Sequence, residues 1–128
     1  MRLRVRLAVP VVVLFAISAG RAGAASKFPV GTFVTGEWAV TFSANKTYQV
    51  AQSGQTVVEG GYTVGTDGVI FKDSGGQYAC YDSDGKYTWK IDKDTLTFVK
   101  IDDNCEGRVG VLTSGPLTRQ AAGKRSTP

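Results

Sequence analysis

The stretch Gly85-Lys86-Tyr87-Thr88-Trp89-Lys90-Ile91-Asp92-Lys93-Asp94-Thr95-Leu96-Thr97-Phe98-Val99, residues 85–99, decides the fold class. Tyr87, Trp89 and Ile91 alternate with Lys86, Thr88 and Lys90. Leu96 and Phe98 alternate with Thr95, Thr97 and Val99. A period of two places one set of side chains in a core and the other in water, the pattern of a half-buried strand. Between the two runs, Asp92-Lys93-Asp94 has the composition of a turn. The stretch therefore reads as a hairpin.

The same pattern extends in both directions. Upstream, Trp38, Val40 and Phe42 alternate with Ala39 and Thr41, Tyr48 and Val50 with Gln49 and Ala51, and Tyr62 and Val64 flank Thr63. Turn-forming clusters stand at 43–45, 52–54, 65–68, 73–76, 82–85, 92–94 and 102–107. They divide the chain into strands expected at 36–42, 46–52, 56–64, 69–73, 77–81, 86–91, 95–101 and 108–113. Short strands at this spacing indicate a sandwich or a barrel. No long connection returns a strand across a sheet, as a Greek key requires. The expected fold class is therefore all-β, an eight-stranded antiparallel up-and-down barrel, which removes exposed edges by closing. Gly60-Gly61 suits a bulge that bends a sheet into such a barrel. Gly36, Gly61 and Gly85 each open a short aromatic-containing segment, a weak internal repeat that fits successive hairpins.

The first residues read differently. Arg2, Arg4 and Arg6 precede an apolar run from Leu7 to Ala19, and Ala22-Gly23-Ala24 supplies small residues for cleavage. This is the order of a secretory signal peptide. Arg21 ends the apolar run short of the roughly 20 residues that a membrane-spanning helix needs. The expected organisation is a signal peptide at 1–24, a barrel domain at 25–119 and a polar, flexible tail at 120–128. The expected location is secreted or periplasmic, with no membrane anchor after cleavage. Four of the 15 basic residues (Arg2, Arg4, Arg6, Arg21) fall in the leader and none of the 11 acids does. The mature chain thus carries 11 of each and no formal net charge. The basic character of the whole chain is not a nucleic-acid footprint.

Cys80 and Cys105 are the only cysteines, 25 positions apart. In an exported chain such a pair reads as one disulfide, stabilising by roughly 3 kcal/mol in the chain-entropy account. A zinc site is not expected: the spacing is wrong and the chain has no His.

The absence of His also removes the usual general base and any Ser–His–Asp or Cys–His arrangement. The carboxylate pairs Asp82/Asp84 and Asp102/Asp103 read as turn chemistry. Asp82-Ser83-Asp84-Gly85 opens like a calcium loop, but Lys93 stands where the loop needs its closing Glu. No enzyme activity, cofactor or metal is expected.

Gly36-Glu37-Trp38, the later run through Trp89 and Phe98 to Asp102, Cys105 and Arg108, and Arg119 near the end resemble small secreted bacterial lipocalin-like proteins. The resemblance covers residues 36–119. It implies that Trp38 closes the barrel floor and that Arg119 packs across it. The chain is much shorter than a typical lipocalin, so any calyx is small. If the first strand begins at the floor, the opposite end collects Lys46, Asp67, Asp82, Asp84, Asp102, Asp103, Glu106 and Arg108. Both cysteines fall there too, so their bridge passes over the sixth strand.

A barrel of this size is filled by its own side chains or holds one small ligand. If a cavity exists, Tyr48, Tyr62, Tyr87 and Trp89 are expected to line it. Arg108 at the mouth would meet an anionic group, or else pair with Asp102, Asp103 or Glu106. The leading function is binding of a small apolar or amphipathic ligand. The alternative is a protein-binding module with a filled barrel. In size, Gly-x-Trp and export the chain also resembles a bacterial metalloprotease inhibitor family, which implies that Ala25 to Gly31, stiffened by Pro29, would engage a protease.

Overall fold

The computed structural model describes residues 27–121. The expected signal peptide, and residues 122–128 of the expected tail, lie outside the described residues. Eight strands form a closed antiparallel barrel in sequence order: β1 (Gly31–Thr35), β2 (Trp38–Phe42), β3 (Thr47–Gln52), β4 (Gln55–Val64), β5 (Val69–Gly75), β6 (Gly85–Asp92), β7 (Thr95–Asp102) and β8 (Leu117–Arg119). A helix, α1 (Glu106–Thr113), lies between β7 and β8. Closure comes from β8 pairing with β1, Phe33 opposite Arg119 and Val34 opposite Thr118.

The fold class matches the expectation, but two strands are assigned differently. Residues 77–81 form no strand. Gly76 turns the chain at φ 107°, and the Tyr78 and Cys80 amides donate to the Val57 carbonyl and the Asp73 carboxylate instead of a ladder. Residues 108–113 are helical: Arg108, Val111 and Leu112 are the buried positions, a three-and-four spacing that marks one helix face. The count of eight is restored by β1 and β8. Gly36-Glu37 is not the entrance to the first strand but the two-residue turn joining β1 to β2. Gly36 stands at φ 56°, the positive value that such hairpins require at their first central position.

Losing the strand at 77–81 reverses the parity of the connections. The turns at 43–46 and 65–68 lie at one end, here called the floor. The loop at 76–84 and the connection carrying α1 lie at the other, the lid. The expected single rim is therefore divided: Lys46 and Asp67 at the floor, Asp82, Asp84, Asp102, Asp103, Glu106 and Arg108 at the lid. The bridge is formed, with Cα atoms 6.0 Å apart, and it joins the loop before β6 to the start of α1.

Inward residues fill the barrel with rings. Phe33, Phe42, Tyr48, Tyr62, Phe71, Tyr87 and Phe98 are all buried. Phe42 and Phe71 stack at 6.0 Å, and Phe71 meets Phe98 edge-on at 5.7 Å. Phe28 closes the floor, packed against Phe42, Tyr62, Trp89 and Phe98. The expected closure of the floor by Trp38 beneath Arg119 is corrected. Trp38 stands at the lid, while Arg119 lies 4.7 Å over the ring of Phe33. Its Nη1 donates to the Val30 carbonyl at 2.7 Å, and its Nε meets Asp94 at 3.4 Å. Gly31-Thr32-Phe33 at the head of β1 thus plays the part expected of Gly36-Glu37-Trp38. A Cβ at Gly31 would stand 2.7 Å from the Arg119 guanidinium.

Candidate functional site at the lid of the barrel

The strongest cluster of polar groups is buried beneath the lid. Arg108, in the first turn of α1, reaches down to Asp73 of β5 (Nη2 to Oδ2, 3.0 Å) and Asp103 after β7 (Nη1 to Oδ1, 2.9 Å). Side-chain exposure is 6% for Arg108, 2% for Asp73 and 0% for Asp103. Both Nη atoms also donate to the Ser83 carbonyl at 3.2 Å. A cation in the first turn is misplaced for the helix dipole; the two carboxylates account for its position.

Each carboxylate is held from a second side. The Tyr48 hydroxyl donates to Asp73 and the Tyr87 hydroxyl to Asp103. The amides of the two bridged cysteines complete the frame, Cys80 N to Asp73 at 2.8 Å and Cys105 N to Asp103 at 2.9 Å. Disulfide and ion cluster are therefore one unit. Two glycines make room for it: a Cβ at Gly60 would stand 2.8 Å from the Tyr48 hydroxyl, and one at Gly85 2.8 Å from Arg108 Nη1.

Burial, then the hydrogen bonds to Asp73 and Asp103, push the Tyr48 and Tyr87 phenols far above their ordinary range. Burial lowers the Arg108 guanidinium, and the charges of Asp73 and Asp103 more than offset it, so its value is raised. Phenols and guanidinium alike keep their protons at neutral pH. The cluster is a fixed frame of hydrogen bonds. Asp73 and the two cysteine sulfurs lie within 4.8 Å of one another, a metal-like spacing, but both sulfurs are joined in the bridge and Asp73 faces Arg108.

Beside the cluster is an almost wholly apolar cavity of about 90 Å³, whose walls include Trp38, Val50, Val111 and Leu112, with Asp73 and Arg108 at its edge. Arg108 Nε is buried and has no hydrogen-bond partner among the described residues. A second cleft, about 450 Å³ and open to solvent, lies at the floor between Phe28, the turn at 65–68 and Trp89 to Ile91 of β6. It exists because β5 and β6 pair only at Val69–Tyr87, Ile70–Lys86 and Phe71–Gly85, leaving the rest of β6 without a partner on that side.

No family model, curated protein or solved structure matches the chain. The reading of the site therefore rests on its geometry.

The five residues expected to line one pocket do not share one. Tyr48 and Arg108 border the lid cavity. Tyr87 is fully buried and bound to Asp103. Tyr62 packs on Phe28, its hydroxyl donating to the Ser43 carbonyl at 2.7 Å. Burial raises that phenol too. Trp89 lines the floor cleft. The expectation that Arg108 meets an anionic group gives way to pairing with Asp103, as one alternative had it, and with Asp73, which had read only as a turn residue. Asp73 carried no usable signal, because Asp73-Ser74-Gly75-Gly76 has turn composition while β5 continues to Gly75.

Proposed function

We propose that this protein is an exported binding barrel of lipocalin-like form, without catalytic activity, that takes up a small molecule under the α1 lid. One observation carries the reading: an almost wholly apolar cavity under α1, with the buried Arg108 cluster at its edge. Export is supported by the leader-like residues 1–24 and by the disulfide. Among the described residues no helix is long and apolar enough to cross a membrane. At about 90 Å³ the cavity lies well below the ~300 Å³ at which ordinary ligand sites begin. The ligand is therefore a molecule of few atoms, or the lid moves to admit a larger one. Val111→Phe tests this directly, since the new ring occupies the cavity. Small apolar and polar probes should shift the methyl resonances of Val50 and Leu112 in the parent protein and leave them unmoved in the variant. Equal responses in both proteins would reject the site.

A second reading has its own observation. Tyr78 and Tyr81, on either side of the bridged Cys80, are 52% and 62% exposed. Exposed tyrosines suit a protein-binding surface. This loop, more than the Ala25–Gly31 segment, would carry such a role, because Phe28 is folded into the floor and Gly31 already belongs to β1. Tyr81→Ala would weaken partner binding on this reading and leave probe uptake in the cavity intact, since Tyr81 does not line the cavity.

A further inference from the structure

The open edge of β6 points to a second site, at the other end of the barrel: we infer that the floor cleft captures an extended peptide, which adds to β6 as a strand and carries an acidic residue between two apolar ones. This site is independent of the lid cavity.

β6 runs to Asp92, but its pairing with β5 stops at Tyr87. The β6–β7 hairpin fixes which backbone groups are left over. Lys93-Asp94 is a two-residue turn, so Asp92 and Thr95 exchange both of their backbone bonds. Alternation then makes Lys90–Thr97 and Thr88–Val99 the next bonded pairs. Trp89 and Ile91, which lie between, turn their N–H and C=O groups to the opposite edge, toward the cleft. The Tyr87 carbonyl, two residues earlier, points the same way, since a Cβ on Gly68 would collide with its oxygen. Among the described residues no strand or loop backbone bonds to these groups of Trp89 and Ile91. Two donor–acceptor sets roughly 7 Å apart are the complement of another extended backbone. The cleft beside them, about 450 Å³, has the volume of a ligand site.

Alternation of side chains also sets the sequence of the guest. A strand continuing the line of β5 runs antiparallel to β6. Its residues opposite Trp89 and Ile91 face the side where Phe28 and Val64 line the cleft, and these positions take apolar side chains. The residue between them lies opposite Lys90, on the exposed face of β6. Opposite charge is favoured at such a cross-strand position and like charge is not. Lys27 lines the cleft as well, so two cations there outnumber Asp67. A second copy is a poorer occupant, because edge-to-edge pairing in the same register sets Lys90 against Lys90.

The test uses the disulfide-bonded protein and two capped peptides, acetyl-Thr-Val-Glu-Val-Thr-amide and the same peptide with Lys in place of Glu. Hydrogen exchange at the Trp89 and Ile91 amides reports edge pairing, and a titration of the Trp89 indole resonance gives affinity. Both amides should exchange freely in the protein alone and be protected by the Glu peptide, which should bind about fivefold more tightly than the Lys peptide. Lys90→Glu, a change at an exposed side chain, should reverse that order. Methylating both valine nitrogens removes the donors aimed at β6 and should abolish binding. Slow exchange at both amides without peptide overturns the inference, since the edge is then already covered by residues preceding Lys27 or by a second copy. Undiminished binding of the methylated peptide overturns it, as does a Lys90→Glu protein that still prefers the Glu peptide. Absence of protection by either peptide overturns it too, and leaves the lid reading untouched.

Discussion

Replacing Arg108 by Met isolates what the buried cation contributes. The guanidinium is 6% exposed and its partners Asp73 and Asp103 are 2% and 0% exposed, so their interaction is little screened by solvent. Removing one side of such a pair costs about 3–5 kcal/mol, because a buried charge is left uncompensated. Here two carboxylates are left, but each keeps a tyrosine hydroxyl and a cysteine amide. The lower half of that range is expected. With a urea m-value of about 1.5 kcal/mol/M, the midpoint falls by roughly 2–3 M. Asp73→Asn should cost less, about 1–2 kcal/mol, since it removes one hydrogen-bonding charge and leaves Arg108 paired with Asp103. The triple variant Asp73→Asn, Asp103→Asn, Arg108→Met removes every charge while keeping acceptors for the two tyrosines. It should recover most of the loss. Urea unfolding followed by the fluorescence of Trp38 and Trp89, with the disulfide intact, measures all three. A midpoint drop below ~0.5 M for Arg108→Met, or a triple variant no better than the single one, would refute the charge argument and leave only packing.

Further outcomes follow from the same frame. Cys80→Ser with Cys105→Ser should lower stability by about 3 kcal/mol, the chain-entropy value for a loop of 25 residues, and should weaken the Asp73 and Asp103 contacts, which denaturation of the double variant and hydrogen exchange at Cys80 and Cys105 would report. Tyr48 and Tyr87 have folded values raised above the ordinary phenol range, so their contribution is complete below about pH 10 and is lost as pH rises further. Each phenol should steepen alkaline unfolding by about 1.4 kcal/mol per pH unit, and Tyr48→Phe should remove one such increment in urea midpoints measured from about pH 9 to 11. Phe28→Ala should cost about 3–5 kcal/mol, the usual loss for a buried aromatic, and should be seen as a lower thermal midpoint with faster hydrogen exchange in β6. Gly110→Ala meets no atom within 4 Å and has helical backbone, so it should stabilise the helix by about 0.5–1 kcal/mol, read from slower amide exchange in α1.

The period-two runs made the barrel legible because a half-buried strand declares its two faces residue by residue. The segments β2, β3, β4, β6 and β7 lie close to where alternation placed them. Elements governed by other forces were misread. Residues 77–81 stand between two turn clusters, as a strand would, but the amides of Tyr78 and Cys80 are claimed by Val57 and Asp73, contacts that no local pattern encodes. Residues 108–113 are rich in Val, yet the burial of 108, 111 and 112 is helical, a signal present in the sequence and outweighed by β-branching. β8 is three residues long, too short for periodicity to announce it, and in β1 the apolar Phe33 and Val34 are adjacent, so polarity does not separate its two faces. The bridge was legible from its arithmetic. The ion cluster was half legible: Asp103 is a sequence neighbour of Arg108, whereas Asp73 arrives from another strand through tertiary structure.

The lid is the element whose stability is most borrowed. α1 has eight residues, below the length at which helices persist alone, and two of those are glycines with open space around them. Its N-terminal half is fixed twice, by the bridge at Cys105 and by Arg108 between its carboxylates. Its C-terminal half is held by Val111 and Leu112, which are also cavity walls. The two halves of α1 are thus held by different forces, the first turn by a covalent bridge and buried charge, the last by apolar packing alone.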